Sequence, residues 1–291
     1  MNKLYAAIEA GGTKFNCAII DNSRNIIAQH RIATTTPDET LSACTDFFKQ
    51  QQTELAFDAL GLACFGPVDL NTDSATWGNI TATPKPHWSD TPITQILAEA
   101  LSCQVAIDTD VNAAAMAEHL WGAGMGCDTV VYVTIGTGVG AGIVINGKPV
   151  HGLIHPEAGH MIIGEIDGVK GVCPYHGSCV EGLASGYAMA QIWQQPAETL
   201  PEDHRAWDIQ AQVIGTFCHN LLVSYSPQKI VLGGGVMQKP GLLEAVVKYT
   251  ERSLNQYLTL PTDIAFKDLI CLPGLEDKSG LYGALALVLD N

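Results

Sequence analysis

Two stretches of the chain share one pattern: an apolar strand, a short turn rich in Gly and Thr, and a second apolar strand. They are LYAAIEAGGTKFNCAIID (residues 4–21) and TVVYVTIGTGVGAGIVING (residues 129–147). Short apolar runs bounded by turn residues predict strands that are buried on both faces. The turn IGTGVG echoes EAGGTK as a weak internal repeat, so the pattern predicts a duplicated α/β fold with a nucleotide held between its halves.

The remaining apolar patterns predict further strands, helices and two loop-rich stretches. Apolar residues at helical spacing, such as Leu41, Cys44 and Phe48, favour a helix, whereas compact apolar runs favour a strand. Residues 71–92 are rich in Pro and Trp and predict a long ordered loop, and residues 150–182 predict a second loop-rich region. Strands are predicted in 24–34, 59–70 and 229–236, a strand, loop and Ala-rich helix in 104–124, and helices in 38–52, 92–102, 209–226 and 279–289.

The composition narrows the class of protein. A length of 291 residues suits two domains or one large one, and a 15% share of charged residues indicates a well-packed globular protein. The net charge of −15 argues against nucleic acid and anionic membranes as partners, and a bound polyphosphate would need a divalent cation. Nine cysteines without an evident disulfide framework favour a reducing, cytoplasmic location. We expect no signal peptide, membrane span or N-terminal DNA-binding module.

The turns EAGGTK (9–14) and IGTGVG (135–140) are candidate phosphate-binding turns. Gly tolerates positive φ and lets backbone N–H groups approach a ligand closely, while Thr hydroxyls and a Lys can reach phosphate oxygens. The alternative is a tight hairpin turn that needs Gly for geometry alone. Two such turns and a third Gly run at 233–235 favour phosphate binding, although neither turn is a P-loop.

The segment DTDVNAAAMAE (108–118) places Asp108, Asp110 and Asn112 at the end of a buried strand. Such strand ends face the ligand crevice in open α/β sheets, where a carboxylate can take a proton from an attacking hydroxyl. The alternative is that these side chains cap the following helix. We assign Asn112 as the cap and Asp110 as the base.

The segment CPYHGSC (173–179) is a candidate metal site. Its cysteines are six positions apart, which weakens a CxxC redox interpretation. Zinc prefers four N or S ligands, and a fourth could come from His151, His155 or His160, which lie nearby in the sequence. Three protein ligands with water would make a catalytic site, and four would close it. Glu157 and His160 in the same region could instead hydrogen-bond the hydroxyls of a sugar.

Together these motifs resemble those of the ROK family of sugar kinases, within the actin-like ATPase superfamily, over nearly the whole chain. Within the family the chain is most similar to bacterial zinc-containing fructokinases, because it has EAGGTKF, the ITATPKP loop (80–86), HPEAGHM and CPYH. The other matching segments are FGPVD (65–69), DTDVNAAA, TIGTGVGAGI and LGGGV. The resemblance implies a duplicated actin-like (ribonuclease H-like) α/β fold of two lobes with a cleft between them. We expect one lobe in residues 1–117, joined by a C-terminal helix at about 281–291, and a second, zinc-binding lobe in 118–280.

The resemblance also implies an activity and a set of site residues. The activity is ATP- and Mg²⁺-dependent phosphorylation of a hexose, D-fructose to fructose 6-phosphate, by a cytoplasmic homodimer, with Asp110 as general base. The implied nucleotide contacts are Gly11, Gly12, Thr13, Lys14, Gly136, Thr137, Gly138, Pro227, Gly234 and Gly235. The implied sugar contacts are Gly66, Asn112, Glu157, His160 and Glu181, and the implied ligands of a structural zinc are His160, Cys173, His176 and Cys179.

Two positions depart from the family pattern, and three other functions stay open. Glu9 stands where relatives carry Asp, and Lys278-Ser279-Gly280 stands where many carry Asn-Ala-Gly. The substrate could instead be glucose, mannose or N-acetylmannosamine. The chain could also be a non-catalytic sugar sensor, or a zinc-dependent hydrolase if the metal kept an open position.

Overall fold

The computed structural model describes residues 3–262 and 264–289 and contains two compact units. The first unit takes in the described residues of Met1–Ala117, Pro149–His155 and Asp277–Asn291, and the second takes in Glu118–Lys148 and Pro156–Glu276. The strands are β1 (Leu4–Ala10), β2 (Lys14–Asp21), β3 (Ile26–Ala33), β4 (Ala59–Cys64), β5 (Gln104–Thr109), β6 (Thr129–Ile135), β7 (Val139–Ile145), β8 (Lys148–Pro149), β9 (Lys229–Gly233) and β10 (Ile270–Cys271). The helices are α1 (Pro37–Gln52), α2 (Ile93–Leu101), α3 (Asp110–Trp121), α4 (Val180–Ala184), α5 (Gly186–Trp193), α6 (Arg205–Tyr225), α7 (Leu242–Leu254), α8 (Phe266–Leu269) and α9 (Ser279–Ala286).

Two five-stranded sheets repeat one topology. The first has the order β3-β2-β1-β4-β5, with β1 antiparallel to β2 and parallel to β4. The second has the order β10-β9-β6-β7-β8, with β6 antiparallel to β7 and parallel to β9. In each sheet, the strand that comes first along the chain lies in the centre. The next two strands along the chain lie on one side of it, and the last two lie on the other side. The duplicated α/β fold predicted from the two strand–turn–strand segments is therefore confirmed.

The first unit has a dense core around its sheet. Phe15, Phe48 and Trp88 are fully buried, and the Trp88 indole N–H donates to the carbonyl of Thr35 at 2.8 Å. Because Trp88 lies in the 71–92 stretch, this anchor helps to order that stretch, which contains no helix or named strand, as predicted. Helix α9 packs on β1 and β4 of the same unit.

Several elements differ from the sequence prediction. Helix α3 follows β5 directly, without the predicted loop, and α6 begins at Arg205 instead of residue 209. Helices α4, α5, α7 and α8 and strands β8 and β10 were not predicted from the sequence. Helix α7 buries Leu242, Val246 and Leu254 on one face at helical spacing, a signal that was present in the sequence.

The division into compact units also differs from the expected lobe limits. Residues 149–155 and 277–280 group with the first unit, whereas we expected them in the second lobe. The physical reason for the 149–155 segment is a pair of hydrogen bonds, one between His151 and Asp108 and one in which His155 accepts the Val68 N–H. Within the described residues, no helix is both long and apolar enough to cross a bilayer.

Candidate active site

Asp110 is the first residue of α3 and follows β5 directly. Its side chain is half-buried, and its Oδ1 accepts the Val111 N–H at 2.9 Å. The helix is capped by Thr109, whose Oγ1 accepts the Asn112 N–H at 3.1 Å. The prediction that Asn112 is the cap was wrong, because Asn112 lies inside the first turn and its own backbone N–H is the group that is capped.

The Asn112 side chain belongs to a buried polar network. Its Nδ2 donates to Asp108 Oδ1 at 2.8 Å, while Asp108 Oδ2 lies 2.9 Å from His151 Nε2. Asn112 and Asp108 are only 1% and 3% exposed. The hydrogen bond to Asp108 raises the pKa of His151. Asn112 Oδ1 is buried and has no hydrogen-bond partner among the described residues, so its acceptor capacity is unused.

The loop that carries Gly66 follows β4, the parallel neighbour of β5. Cys64 pairs with Thr109 in this register, so the Gly66 loop and Asp110 emerge at the same edge of the sheet. The backbone N–H of Val68 donates to His155 Nε2 at 3.1 Å. A Cβ at Gly66 would lie 3.3 Å from Cε1 of His155, so the imidazole packs directly on this glycine.

The turn between β1 and β2 holds Gly11, Gly12, Thr13 and the first residue of β2, Lys14. The Gly11 N–H donates to the Lys14 carbonyl at 2.9 Å, and Gly12, Thr13 and Lys14 are exposed. Neither Gly11 nor Gly12 has the positive φ that was expected from the sequence. A Cβ at Gly12 would meet no described atom within 4 Å. Neither a positive φ nor contacts within the chain therefore account for glycine at position 12.

Glu9, the departure from the family pattern, faces its cross-strand neighbour Asn16. Asn16 Nδ2 donates to Glu9 Oε2 at 2.7 Å, and Arg31 Nε donates to Asn16 Oδ1 at 3.2 Å. Burial raises the pKa of Glu9 despite the hydrogen bond from Asn16 and the charge of Lys14. A Cβ at Gly280 would lie within 2.9 Å of three Glu9 side-chain atoms, so Gly280 leaves space for the longer carboxylate.

The matching turn of the second unit joins β6 to β7 through Gly136, Thr137 and Gly138. A Cβ at Gly136 would meet no atom within 4 Å, as at Gly12. A Cβ at Gly138 would lie 2.7 Å from Glu181 Oε2, and this oxygen accepts the Val139 N–H at 3.0 Å. Glycine at position 138 therefore leaves space for the Glu181 carboxylate beneath the turn.

The Gly run at 233–235 ends β9 and approaches the end of β6. Gly234 has a φ of 89°, and a Cβ there would lie 2.4 Å from the Ile135 carbonyl oxygen. This close approach and the positive φ both require glycine. A Cβ at Gly235 would meet no described atom within 4 Å, and Pro227 is buried just before β9.

Four side chains of the second unit form a cluster that could hold a metal ion. One potential ligand atom from each of His160, Cys173, His176 and Cys179 lies within 4.8 Å of all the others. Cys173 Sγ lies 3.9 Å from His160 Nδ1 and 3.7 Å from His176 Nδ1, and Cys179 Sγ lies 3.7 Å from His160 Nδ1. Ligand atoms around a tetrahedral zinc would be about 3.3–3.8 Å apart, and an S–N pair about 3.5 Å apart, given Zn–S and Zn–N bonds of about 2.3 and 2.0 Å. The donor set therefore fits a four-coordinate zinc.

The chain segments around the cluster hold this arrangement. The Cys179 thiol is fully buried at the start of α4 and accepts the Gly182 N–H at 3.3 Å. Burial raises the pKa of this thiol to about 11. His151 and His155, the other ligands considered from the sequence, make their contacts in the first unit instead.

Two carboxylates accompany the cluster. His160 Nε2, on the far side of the ring from Nδ1, lies 3.9 Å from Glu181 Oε1. Partial burial and the charge of Glu181 raise the pKa of Glu157. Glu157, His160 and Glu181 therefore combine hydrogen-bond donors and acceptors beside the cluster.

Sequence reasoning missed one buried carboxylate, Glu118. It is fully buried and accepts the N–H groups of Ala123 at 2.7 Å, Gly274 at 2.9 Å and Leu275 at 3.1 Å. These bonds tie the end of α3 to the segment after β10 within the second unit. A charged residue on the apolar face of a predicted helix was the available signal.

Comparisons with known proteins agree with the fold and with the motifs. The model of the ROK family matches residues 5–291. The chain is 46% identical to a fructokinase from Zymomonas mobilis, covering 99% of this chain and 97% of that protein. It is 40% identical to a fructokinase from Lactococcus lactis, covering 96% and 94%. A ROK hexokinase structure from Thermus thermophilus superimposes with a TM-score of 0.77 at 26% identity, covering 99% and 97%. Both the motifs and these full-length matches show that the chain belongs to the ROK family.

Proposed function

We propose that this chain is an ATP-dependent fructokinase, which transfers the γ-phosphoryl group of ATP to the 6-hydroxyl of D-fructose. The observation that carries the proposal is the 46% identity to a fructokinase over 99% of the chain. The transfer needs little covalent chemistry from the protein, because positioning and charge stabilisation supply most of the rate.

Asp110 is the proposed general base. Its carboxylate accepts the proton of the primary hydroxyl as the oxygen attacks phosphorus. Its half-buried position at the start of α3, beside the Gly66 loop, supports this role. The hydrogen bond from the Val111 N–H helps to fix this carboxylate at the start of the helix.

Each unit carries polar groups that are proposed sugar contacts. In the first unit, Asn112 Oδ1, which has no hydrogen-bond partner among the described residues, accepts from a hydroxyl, and Gly66 is a backbone contact. In the second unit, Glu157 and Glu181 accept from hydroxyls, and His160 offers Nε2. A combination of hydrogen-bond donors and acceptors suits a polyhydroxylated ligand, because each hydroxyl both donates and accepts.

The proposed nucleotide contacts are the open Gly/Thr turns. Backbone N–H groups near Gly12 and Gly136 hold phosphate oxygens, and the open space of 4 Å around a Cβ placed on either glycine, among the described residues, supports this role. Bound Mg²⁺ would offset the charge of the phosphates, which matters in a chain of net charge −15. The other proposed nucleotide contacts are Gly11, Thr13, Lys14, Thr137, Gly138, Pro227, Gly234 and Gly235.

We further propose that the cluster of His160, Cys173, His176 and Cys179 holds a structural zinc. Four protein ligands close the coordination sphere, which disfavours a zinc-dependent hydrolase. Zinc would supply folding free energy. It would also fix the His160 ring, so that Nε2 faces Glu181, a proposed sugar contact. The cytoplasmic location and the homodimer stay predictions from the sequence.

The test is an assay of ADP release with MgATP and fructose, glucose, mannose or N-acetylmannosamine at equal concentrations, with a control lacking sugar. We expect turnover to be dominated by fructose. Dominant turnover on another of these sugars would keep the mechanism and contradict the substrate. A folded, zinc-loaded protein with no turnover on any of them would point to a sugar sensor.

A further inference from the structure

The HGLIH segment, residues 151–155, carries two histidines that bond to different parts of the first unit. His151 Nε2 lies 2.9 Å from Asp108 Oδ2, just before Asp110. His155 Nε2 accepts the Val68 N–H at 3.1 Å, in the loop that contains Gly66. One short segment therefore contacts both chain regions of this unit to which sugar contacts were assigned.

The two hydrogen bonds require opposite proton positions. An ionised Asp108 only accepts, so His151 must carry a proton on Nε2. The Val68 N–H only donates, so His155 must lack a proton on Nε2. Both requirements are met by neutral imidazoles in different tautomers, and His155 is 4% exposed, which protects its bond from water.

The Asp108–His151 contact fixes the side chain of Asn112. Because Asp108 Oδ1 accepts, the Asn112 amide must turn Nδ2 toward it at 2.8 Å. This orientation points Oδ1 away from Asp108, where it is buried without a partner. If Asp108 rotated away, the amide could flip and present a donor where an acceptor is needed.

The His155 contact fixes the backbone next to Gly66. The imidazole packs on Gly66, with Cε1 3.3 Å from the position of an added Cβ, and its Nε2 binds Val68 two residues further on. These two contacts restrain the loop on both sides of Pro67. A buried Val68 N–H left without an acceptor would cost free energy, so the loop would rearrange to find one.

We propose that His151 and His155 are positioning residues that set the Asn112 amide and the Gly66–Val68 backbone in the geometry that binds the sugar acceptor. The proposal rests on the proposed sugar kinase function and extends it to two residues that would touch no substrate. Because these histidines are proposed to support sugar contacts and not the phosphate turns, their substitution should weaken the binding of fructose and leave the binding of ATP unchanged.

Paired substitutions at each histidine test the proposal. A Gln side chain can place its amide where the imidazole has Nε2, whereas Asn reaches only as far as Nδ1. We expect His155→Asn to raise the KM for fructose about tenfold or more, with the KM for ATP unchanged, and His155→Gln to stay within about threefold of the wild type. For His151, which is 43% exposed, we expect about a threefold rise with Asn and recovery with Gln.

The matched control is His30→Gln and His30→Asn, at an exposed histidine on β3 of the same unit. Both control variants should leave kinetics unchanged. The proposal is overturned if the Asn and Gln variants at positions 151 and 155 behave alike, whether both are normal or both impaired. It is also overturned if the KM values for fructose and ATP rise together with a loss of thermal stability, because that marks a purely structural role.

Hydrogen exchange separates this proposal from the kinase assignment. In the wild type, the Val68 amide should be protected, and His155→Asn should accelerate exchange of residues 66–69 about tenfold while His155→Gln does not. Equal exchange in the two variants would overturn the His155 assignment. This measurement needs no activity, so an absence of fructose turnover in the wild type would refute the proposed function without deciding the exchange result.

Discussion

His160 Nε2 lies 3.9 Å from Glu181 Oε1, while Nδ1 of the same ring lies 3.7 Å from Cys179 Sγ. One imidazole therefore borders both the candidate metal-binding cluster and a carboxylate proposed to contact sugar. If the cluster binds zinc as proposed, the metal should orient these groups without taking part in phosphoryl transfer. Removing the metal should then affect stability first and sugar affinity second.

We predict that Cys173→Ser will abolish stoichiometric zinc binding and destabilise the protein. The loss of a structural metal removes folding free energy, and a cost of about 3 kcal/mol corresponds to a drop in Tm of about 6–12 °C. Zinc content and thermal unfolding measure the effect. Cys103→Ser, at a half-buried thiol outside the cluster, is the control and should retain zinc. Gently purified wild-type protein that contains no zinc would contradict the assignment.

We predict that Asp110→Asn will reduce kcat by about 10²–10⁴-fold, the usual scale for loss of a general base. Sugar affinity should stay within about tenfold, because the amide keeps the size and most hydrogen bonds of the carboxylate. Steady-state kinetics and direct sugar binding separate the two effects. Asp58→Asn, an exposed carboxylate of the same unit, should have no effect. Near-normal turnover in Asp110→Asn would show that another group takes the proton.

We predict that Glu118→Ala will destabilise the second unit by about 3 kcal/mol or more. The substitution removes the acceptor of three backbone N–H groups, at Ala123, Gly274 and Leu275. Urea unfolding measures the loss. Glu244→Ala, at an exposed position of α7, should change stability by no more than about 0.5 kcal/mol. Equal effects of the two substitutions would mean that the Glu118 bonds add little net stability.

We predict that Glu9→Gln will raise stability at neutral pH and have no effect at low pH. Burial raises the pKa of Glu9 above its ordinary value of 4.5, so the folded state holds this proton more tightly than the unfolded state. Stability is therefore lost as the pH rises from 4.5 through the folded-state pKa. Gln removes this titration and can still accept from Asn16.

Thermal unfolding of Glu9→Gln and wild type between pH 4 and pH 8 measures the difference. The gap in Tm should open as the pH rises. Glu54→Gln, at an exposed carboxylate, provides the baseline. A constant gap across the range would show that burial of Glu9 does not drive the effect.

The sequence by itself determined the local structure and the chemical inventory. Alternation of apolar runs with Gly/Thr turns was enough to predict both hairpins and the duplicated fold, because strand and turn propensities act over a few residues. The order of motifs along the chain was enough to identify the family. The resemblance implied the zinc-ligand role of the cluster residues and the role of Asp110 as base.

Only the tertiary structure decided which side chains meet across long chain separations. The sequence assigned Asn112 as a helix cap, but contacts with Asp108 and His151 show that it belongs to a buried polar network. It also offered His151 and His155 as metal ligands, whereas both bond within the first unit. The reason is physical: a hydrogen bond between residues 43 or 87 positions apart leaves no periodic signal, and it exists only once the sheet has brought strand ends together.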